Sequence, residues 1–137
     1  MSTNVISLSR SSKCPCGSQL KYIKCCGQYT KQGNKPLTAE ALMRSRYTAY
    51  VIKNEQYLLN SWHSSTRPAK LDLDNDSTEW CRLEIVATDA GKPADDKGTV
   101  EFIACFKVHN QRQQLHEVSR FVKEAGQWFY LDGEHNE

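Results

Sequence analysis

VEFIACFKV, residues 100–108, sets apolar side chains at Val100, Phe102, Ala104, Phe106 and Val108, with Glu101, Ile103, Cys105 and Lys107 between them. A period of two marks a β-strand with one face on a core. This is the clearest strand signal in the chain, and its neighbours repeat it. Upstream, Cys81, Leu83, Ile85 and Ala87 alternate with Trp80, Arg82, Glu84 and Val86, and the turn-rich AGKPADDKG (90–98) joins the two runs. Downstream, HNQRQQ (109–114) leads into LHEVSRFVK (115–123), and EAGQ (124–127) leads into WFYLD (128–132). Four strands joined by short connections predict an antiparallel meander.

Before the strands the period changes to that of a helix. Residues 39–53 carry Met43, Tyr47, Tyr50 and Val51 on one face and Arg44 on another. Thr38 is placed to cap this helix, and Glu40 suits the positive end of its dipole. Leu37 and Leu42 have the spacing of a hydrophobic staple. Lys53 and Asn54 interrupt the pattern, EQYLLNSWH (55–63) predicts a shorter helix, and residues 64–78 read as loop. Helices followed by a meander give an α+β fold.

Composition sets the broad class. The 137 residues are 39% hydrophobic and 25% charged, with no apolar run near the roughly 18 residues of a membrane helix. The polar start, MSTNVISLSRSSK, lacks the features of a secretory signal, which predicts a cytoplasmic protein in a reducing compartment. Charge is unevenly placed. Residues 1–35 hold Arg10, Lys13, Lys21, Lys24, Lys31 and Lys35 and no acid, whereas residues 36–137 hold twelve Lys and Arg against sixteen Asp and Glu. The shift falls at KQGNKPL (31–37), so composition divides the chain into a basic segment, 1–35, and a larger domain, 36–137.

The basic segment contains CPCGSQLKYIKCCG (14–27), with Cys14, Cys16, Cys25 and Cys26 spaced C-x-C-x8-C-C. Tetrahedral zinc takes four such ligands at about 2.3 Å from sulfur. Pro15 and Gly17 shape the first turn. Ser18 is placed to cap a short helix, QLKYIKCC, that returns the second pair of thiols to the metal. Lys13, Lys21 and Lys24 offset the thiolates. A disulfide between adjacent Cys25 and Cys26 demands strained geometry, pairing between the clusters suits secretion, and a redox C-x-x-C is absent. The reading is one structural zinc ion with no open coordination position.

The segment resembles the SEC-C motif, a zinc module at the C-terminus of the SecA translocation ATPase, through CPCGS, Tyr22, the flanking lysines and the closing CCG. The resemblance implies that Cys14, Cys16, Cys25 and Cys26 are the zinc ligands. It extends through LMRSRYTAY (42–50), Ser61-Trp62-His63, Thr78-Glu79-Trp80 and SRFVKEAGQWFYLDG (119–133), which are similar to the YchJ family of bacterial proteins. That family implies a SEC-C segment joined to a nuclear transport factor 2-like, cystatin-like cone, in which helices pack on a curved antiparallel sheet. Many members carry a second SEC-C motif at the C-terminus, and this chain ends at GEHNE without one.

Two functions compete. The first is a non-enzymatic adaptor whose basic surface, Lys13, Lys21, Lys24 and Lys31, docks on a partner. SEC-C in SecA is associated with the SecB chaperone and the ribosome, which implies an acidic protein or a ribosomal target. Direct nucleic-acid binding ranks below it, no membrane partner is expected, and a homodimer through the sheet is a further expectation. The second is a small-molecule binder or enzyme using the cone's pocket, with Tyr47, His63 and Arg120 as first suspects. His63 has no carboxylate nearby in sequence, and a helix-terminal role is the simpler reading. Strand parity separates Glu117 from Arg120. Arg44 and Arg46 diverge by about 200° on a helix, so at most one faces the sheet. Trp62, Trp80 and Trp128 read as core aromatics, Cys81 and Cys105 as buried inert thiols, and His109 and His135 as turn and tail residues.

Overall fold

The computed structural model describes residues 8–9 and 11–135. Helices α1 (Gly27–Thr30), α2 (Ala39–Val51) and α3 (Glu55–Asn60) precede strands β1 (Glu79–Ala90), β2 (Lys97–Val108), β3 (Gln111–Glu124) and β4 (Gln127–His135). The strands form one antiparallel sheet in the order β1-β2-β3-β4, the meander expected from the sequence.

Strand β2 keeps its parity. Val100, Phe102 and Ala104 are buried against α2, whose Leu42, Met43 and Tyr47 share their core with Phe121 and Trp128. Helix α2 begins as its sequence dictates, with Thr38 Oγ1 accepting from the Ala41 amide at 3.0 Å, a cap worth about 1 kcal/mol. The hydrophobic staple does not form. Leu37 is 71% exposed while Leu42 is buried, and the Leu37 carbonyl instead accepts from the Trp128 indole at 3.2 Å.

Strand β1 departs from simple alternation. Register shifts fall between Trp80 and Arg82 and between Ile85 and Ala87, leaving Cys81 and Val86 without partners in the ladder. Each unpaired residue is a β-bulge, which reverses parity and bends the strand. Trp80, Leu83, Ile85 and Thr88 therefore lie opposite Phe106, Ala104, Phe102 and Val100. Cys81 is consequently exposed and Cys105 half-buried, which corrects the expectation that both are buried thiols. A third shift, between Arg120 and Phe121, pairs Arg120 with Asp132 and Phe121 with Tyr130.

After α3 the chain runs beside β4, with the His63 amide donating to Tyr130 O at 2.7 Å and the Tyr130 amide to Ser61 O at 2.9 Å. Among the described residues no helix is long and apolar enough to cross a membrane.

Candidate metal centre

The four cysteines meet because two tight turns face each other. Lys13 and Lys21 form an antiparallel bridge. Beside it the Cys14 amide donates to Leu20 O at 2.8 Å, and the Gly17 amide to Cys14 O at 3.3 Å. The predicted helix QLKYIKCC does not form. Gln19 has φ +71°, outside the helical range, and only Tyr22–Lys24 winds, as a 3-10 turn that the Cys25 amide closes on Tyr22 O at 3.0 Å. Ser18 therefore caps no helix. Its hydroxyl accepts from the Leu20 amide at 3.2 Å and donates to Cys25 Sγ at 3.1 Å. The glycine that closes CCG is required by space, because a Cβ at Gly27 would lie 2.8 Å from Tyr22 O.

The Sγ atoms of Cys14, Cys16, Cys25 and Cys26 all lie within 4.8 Å of one another. Cys16 and Cys25 are 3.6 Å apart, and Cys25 and Cys26 are 4.0 Å apart. Four sulfurs placed tetrahedrally at about 2.3 Å from one ion are about 3.8 Å from each other, so the spacing fits a metal. None of the four is in a disulfide. Cys14, Cys16 and Cys26 are buried, and Cys25 stands half-buried at the rim.

The electrostatics of the thiols fit as well. Hydrogen bonds from Cys14, then Cys26, hold the Cys16 thiol far below the ordinary range. Its hydrogen-bonded neighbours Cys14 and Cys16, together with burial, hold Cys26 far above that range. Burial pushes Cys25 up to about 11, partly opposed by the Ser18 hydroxyl. Thiolates gathered this closely repel one another, and a divalent cation among them would relieve that repulsion.

Helix α2 completes the centre. Arg44 Nη1 donates to Cys16 O at 2.8 Å while Nε pairs with Glu40 at 2.9 Å, and Cys14 Sγ lies 3.6 Å from Thr48 Oγ1. The cysteines and Tyr22 share one hydrophobic core with Leu42, Met43 and Tyr47. Lys13, Lys21, Lys24 and Lys31 are exposed around the centre. None of them is in a salt bridge among the described residues, and Leu20 stands among them 54% exposed.

The pocket candidates separate. A cavity of ≈190 Å³ opens between α2 and the concave face of the sheet, and Tyr47 lines it. Arg120 does not. It sits on the opposite face of β3, as parity requires, and its Nε and Nη2 grip Asp132 at 2.6 and 2.7 Å. His63 is also outside the cavity. Its ring bridges Glu124 Oε2 and Ser65 Oγ, both at 2.7 Å, so its carboxylate comes from 61 residues away. His135, read as a tail residue, ends β4 and lies 3.0 Å from Glu117. The residues that replace the two lost candidates are Arg46 and Glu117. A charged side chain on the inward parity of α2 or β3 was the available signal for both.

Residues 38–133 match the family model described as YchJ, middle NTF2-like domain. The chain belongs to the YchJ family. Residues 10–28 of this YchJ-family chain also match the SEC-C motif, which contains all four cysteines. It is 46% identical over 123 residues to a UPF0225 protein of Chromobacterium violaceum, covering 88% of this chain and 90% of the relative. It is 47% identical over 121 residues to a UPF0225 protein of Streptomyces coelicolor, covering 88% and 94%. Among solved structures, it resembles the solution structure of a SEC-C motif-containing protein from Rhodopseudomonas palustris. The TM-score is 0.79 at 32% identity, over 90% of this chain and 98% of that one. The crystal structure of a SEC-C motif-containing protein from Psychrobacter arcticus aligns with a TM-score of 0.73 at 30% identity, over 93% and 85%.

Proposed function

We propose that this chain is a zinc-stabilised adaptor whose lysine-bearing N-terminal surface docks on an acidic protein partner. The observation that carries the reading is the cluster of four sulfurs within 4.8 Å of one another. Sulfur-only tetrahedral sites suit zinc or iron–sulfur chemistry, and a single small cluster of four thiolates with no open position suits structural zinc. Bound there, zinc supplies a cross-link between the two turns and no reagent. The residues around it do the rest. Arg44 ties the Cys16 turn to α2, and the turn holds Lys13, Lys21 and Lys24 outward beside exposed Leu20. Cations around an apolar contact favour an acidic surface with an apolar centre.

Capture from a lysate of the source cell, using the full chain, Cys25→Ser and a Lys21→Glu/Lys24→Glu double variant, tests the proposal. The expected result is one acidic protein retained by the full chain and lost by both variants. Its retention should weaken as salt rises toward and beyond physiological strength. A captured RNA, showing the steep salt dependence of phosphate contacts, or retention by all three proteins, contradicts the assignment.

A further inference from the structure

We infer that the concave face of the sheet carries a second site, a pocket for a small organic carboxylate with an apolar or aromatic body, received by Arg46. It shares no residue with the docking surface proposed above, and either reading stands without the other.

The cavity between α2 and the sheet measures ≈190 Å³, and an apolar cavity of about 150 Å³ is known to hold benzene. There is room for one ring and a head group. Tyr47, Tyr50, Trp62, Trp80 and Tyr130 make the walls, and Arg46, Glu117 and Ser119 are the polar groups among them. Aromatic walls with a few converging polar groups are the usual form of a small-molecule site.

The polar groups are not equally occupied. Glu117 Oε2 accepts from Ser119 Oγ at 2.5 Å and from the Tyr130 hydroxyl at 3.4 Å, and Oε1 lies 3.0 Å from His135 Nε2. Its oxygens are served from within the fold. Arg46 is only 3% exposed, and Nη1 makes both of its hydrogen bonds, to Leu58 O at 2.8 Å and Ser61 Oγ at 2.7 Å. Nε and Nη2 have no partner among the described residues, nor do the Tyr47 and Tyr50 hydroxyls. No enclosed side-chain nitrogen or oxygen of the described residues is left unpaired, so these donors reach open space, and Arg46, Tyr47 and Tyr50 all line the cavity.

A guanidinium stays charged when buried, and a buried cation calls for an anion. Arg46 forms no ion pair with any described carboxylate, and stacks instead on Trp62 at 5.0 Å and Tyr130 at 4.6 Å. The two rings hold its plane, and its free Nε and Nη2 edge matches the two oxygens of a carboxylate. The excess of donors calls for a ligand that brings acceptors. Apolar walls and the nearby charge of Glu117 favour a monoanion over a phosphate dianion, which is more costly to strip of water.

The test titrates the full chain with benzoate, benzamide, benzylamine and acetate. It follows tryptophan fluorescence, since Trp62 and Trp80 are wall residues, together with the amide resonances of Tyr47 and Ser119. Benzoate is expected to saturate with Kd at or below about 1 mM, a level a ligand of about nine heavy atoms reaches at ordinary efficiency. The other three are expected to bind at least about tenfold more weakly, benzamide and benzylamine for want of the anion and acetate for want of the ring. Arg46→Lys keeps the charge and loses the fork, and should weaken benzoate about tenfold. Should that variant fail to fold, Tyr47→Phe, which keeps the ring, and the ranking on the unaltered chain decide. Benzylamine, benzamide or acetate binding as tightly as benzoate, no saturable binding by any of the four, or a folded Arg46→Lys that binds benzoate unchanged would overturn the proposal.

Discussion

Arg44 Nη1 lies 2.8 Å from the carbonyl oxygen of Cys16, so α2 of the larger domain holds the turn that carries two of the four thiols. The same side chain is fixed from its other edge by Glu40 at 2.9 Å, one turn back on the helix. The cysteine turns are thereby built on the cone rather than hung from it. Arg44→Ala should therefore lower metal affinity as well as stability. The lost hydrogen bond from a half-buried charged donor to a carbonyl of buried Cys16 costs about 1.5–3 kcal/mol. Competition with a chelator and thermal melting, measured on one preparation, check the two effects together.

Cys25→Ser removes the rim thiol while leaving the three buried thiols in place. Since Cys14, Cys16, Cys26 and Tyr22 share a core with Leu42, Met43 and Tyr47, the damage should spread beyond the N-terminal turns. A loss of about 2 kcal/mol and a fall in Tm of about 5–10 °C are expected. Amide exchange at Met43 and Tyr47 is the discriminating readout. Protection unchanged there, with loss only before residue 36, would show two units that fold separately.

Gly133→Ala should disturb the floor of the cavity. A Cβ at Gly133 would collide with the carboxylate of Glu117 on the neighbouring strand. Displacing that buried group costs about 1–3 kcal/mol, as overpacking does elsewhere. The variant should keep its metal, and its denaturant midpoint should fall.

On the outer face, the Arg120 guanidinium hydrogen-bonded to Asp132 holds that carboxyl below its ordinary value. A depressed carboxyl stabilises the fold above its unfolded pKa and loses that contribution as pH falls through the folded pKa. Arg120→Ala should raise the Asp132 titration toward the ordinary value, as followed by carboxyl NMR. Both groups are exposed, so any loss of stability should be small, visible near neutral pH and gone in acid. Benzoate binding in the cavity should not change.

Much of this fold was readable because its signals are local. Alternation in VEFIACFKV and the parity that separates Glu117 from Arg120 hold in the folded sheet, but the face turned inward is that of Glu117, Ser119 and Phe121 and not that of the suspect Arg120. The thiol cluster was equally readable, since its four cysteines lie within thirteen residues. What the sequence hid depends on register or on distant partners. Nothing in WCRLEIVA marks Cys81 and Val86 as bulges, because a bulge is defined by the strand opposite. Leu37 has staple spacing, yet its carbonyl is taken by Trp128, 91 residues away. Arg46 shares a helix face with Met43 and Tyr50, but nothing local shows that Leu58, Ser61, Trp62 and Tyr130 gather around it.

The central claim is that Cys14, Cys16, Cys25 and Cys26 together hold one zinc ion. X-ray absorption at the zinc edge, with metal content measured on the same purified full-length chain, tests it most directly. The account predicts about one zinc per chain and a single shell of four sulfurs at about 2.3 Å. A protein without stoichiometric zinc, a shell containing nitrogen or oxygen, or a mass showing the thiols oxidised to disulfides would contradict it.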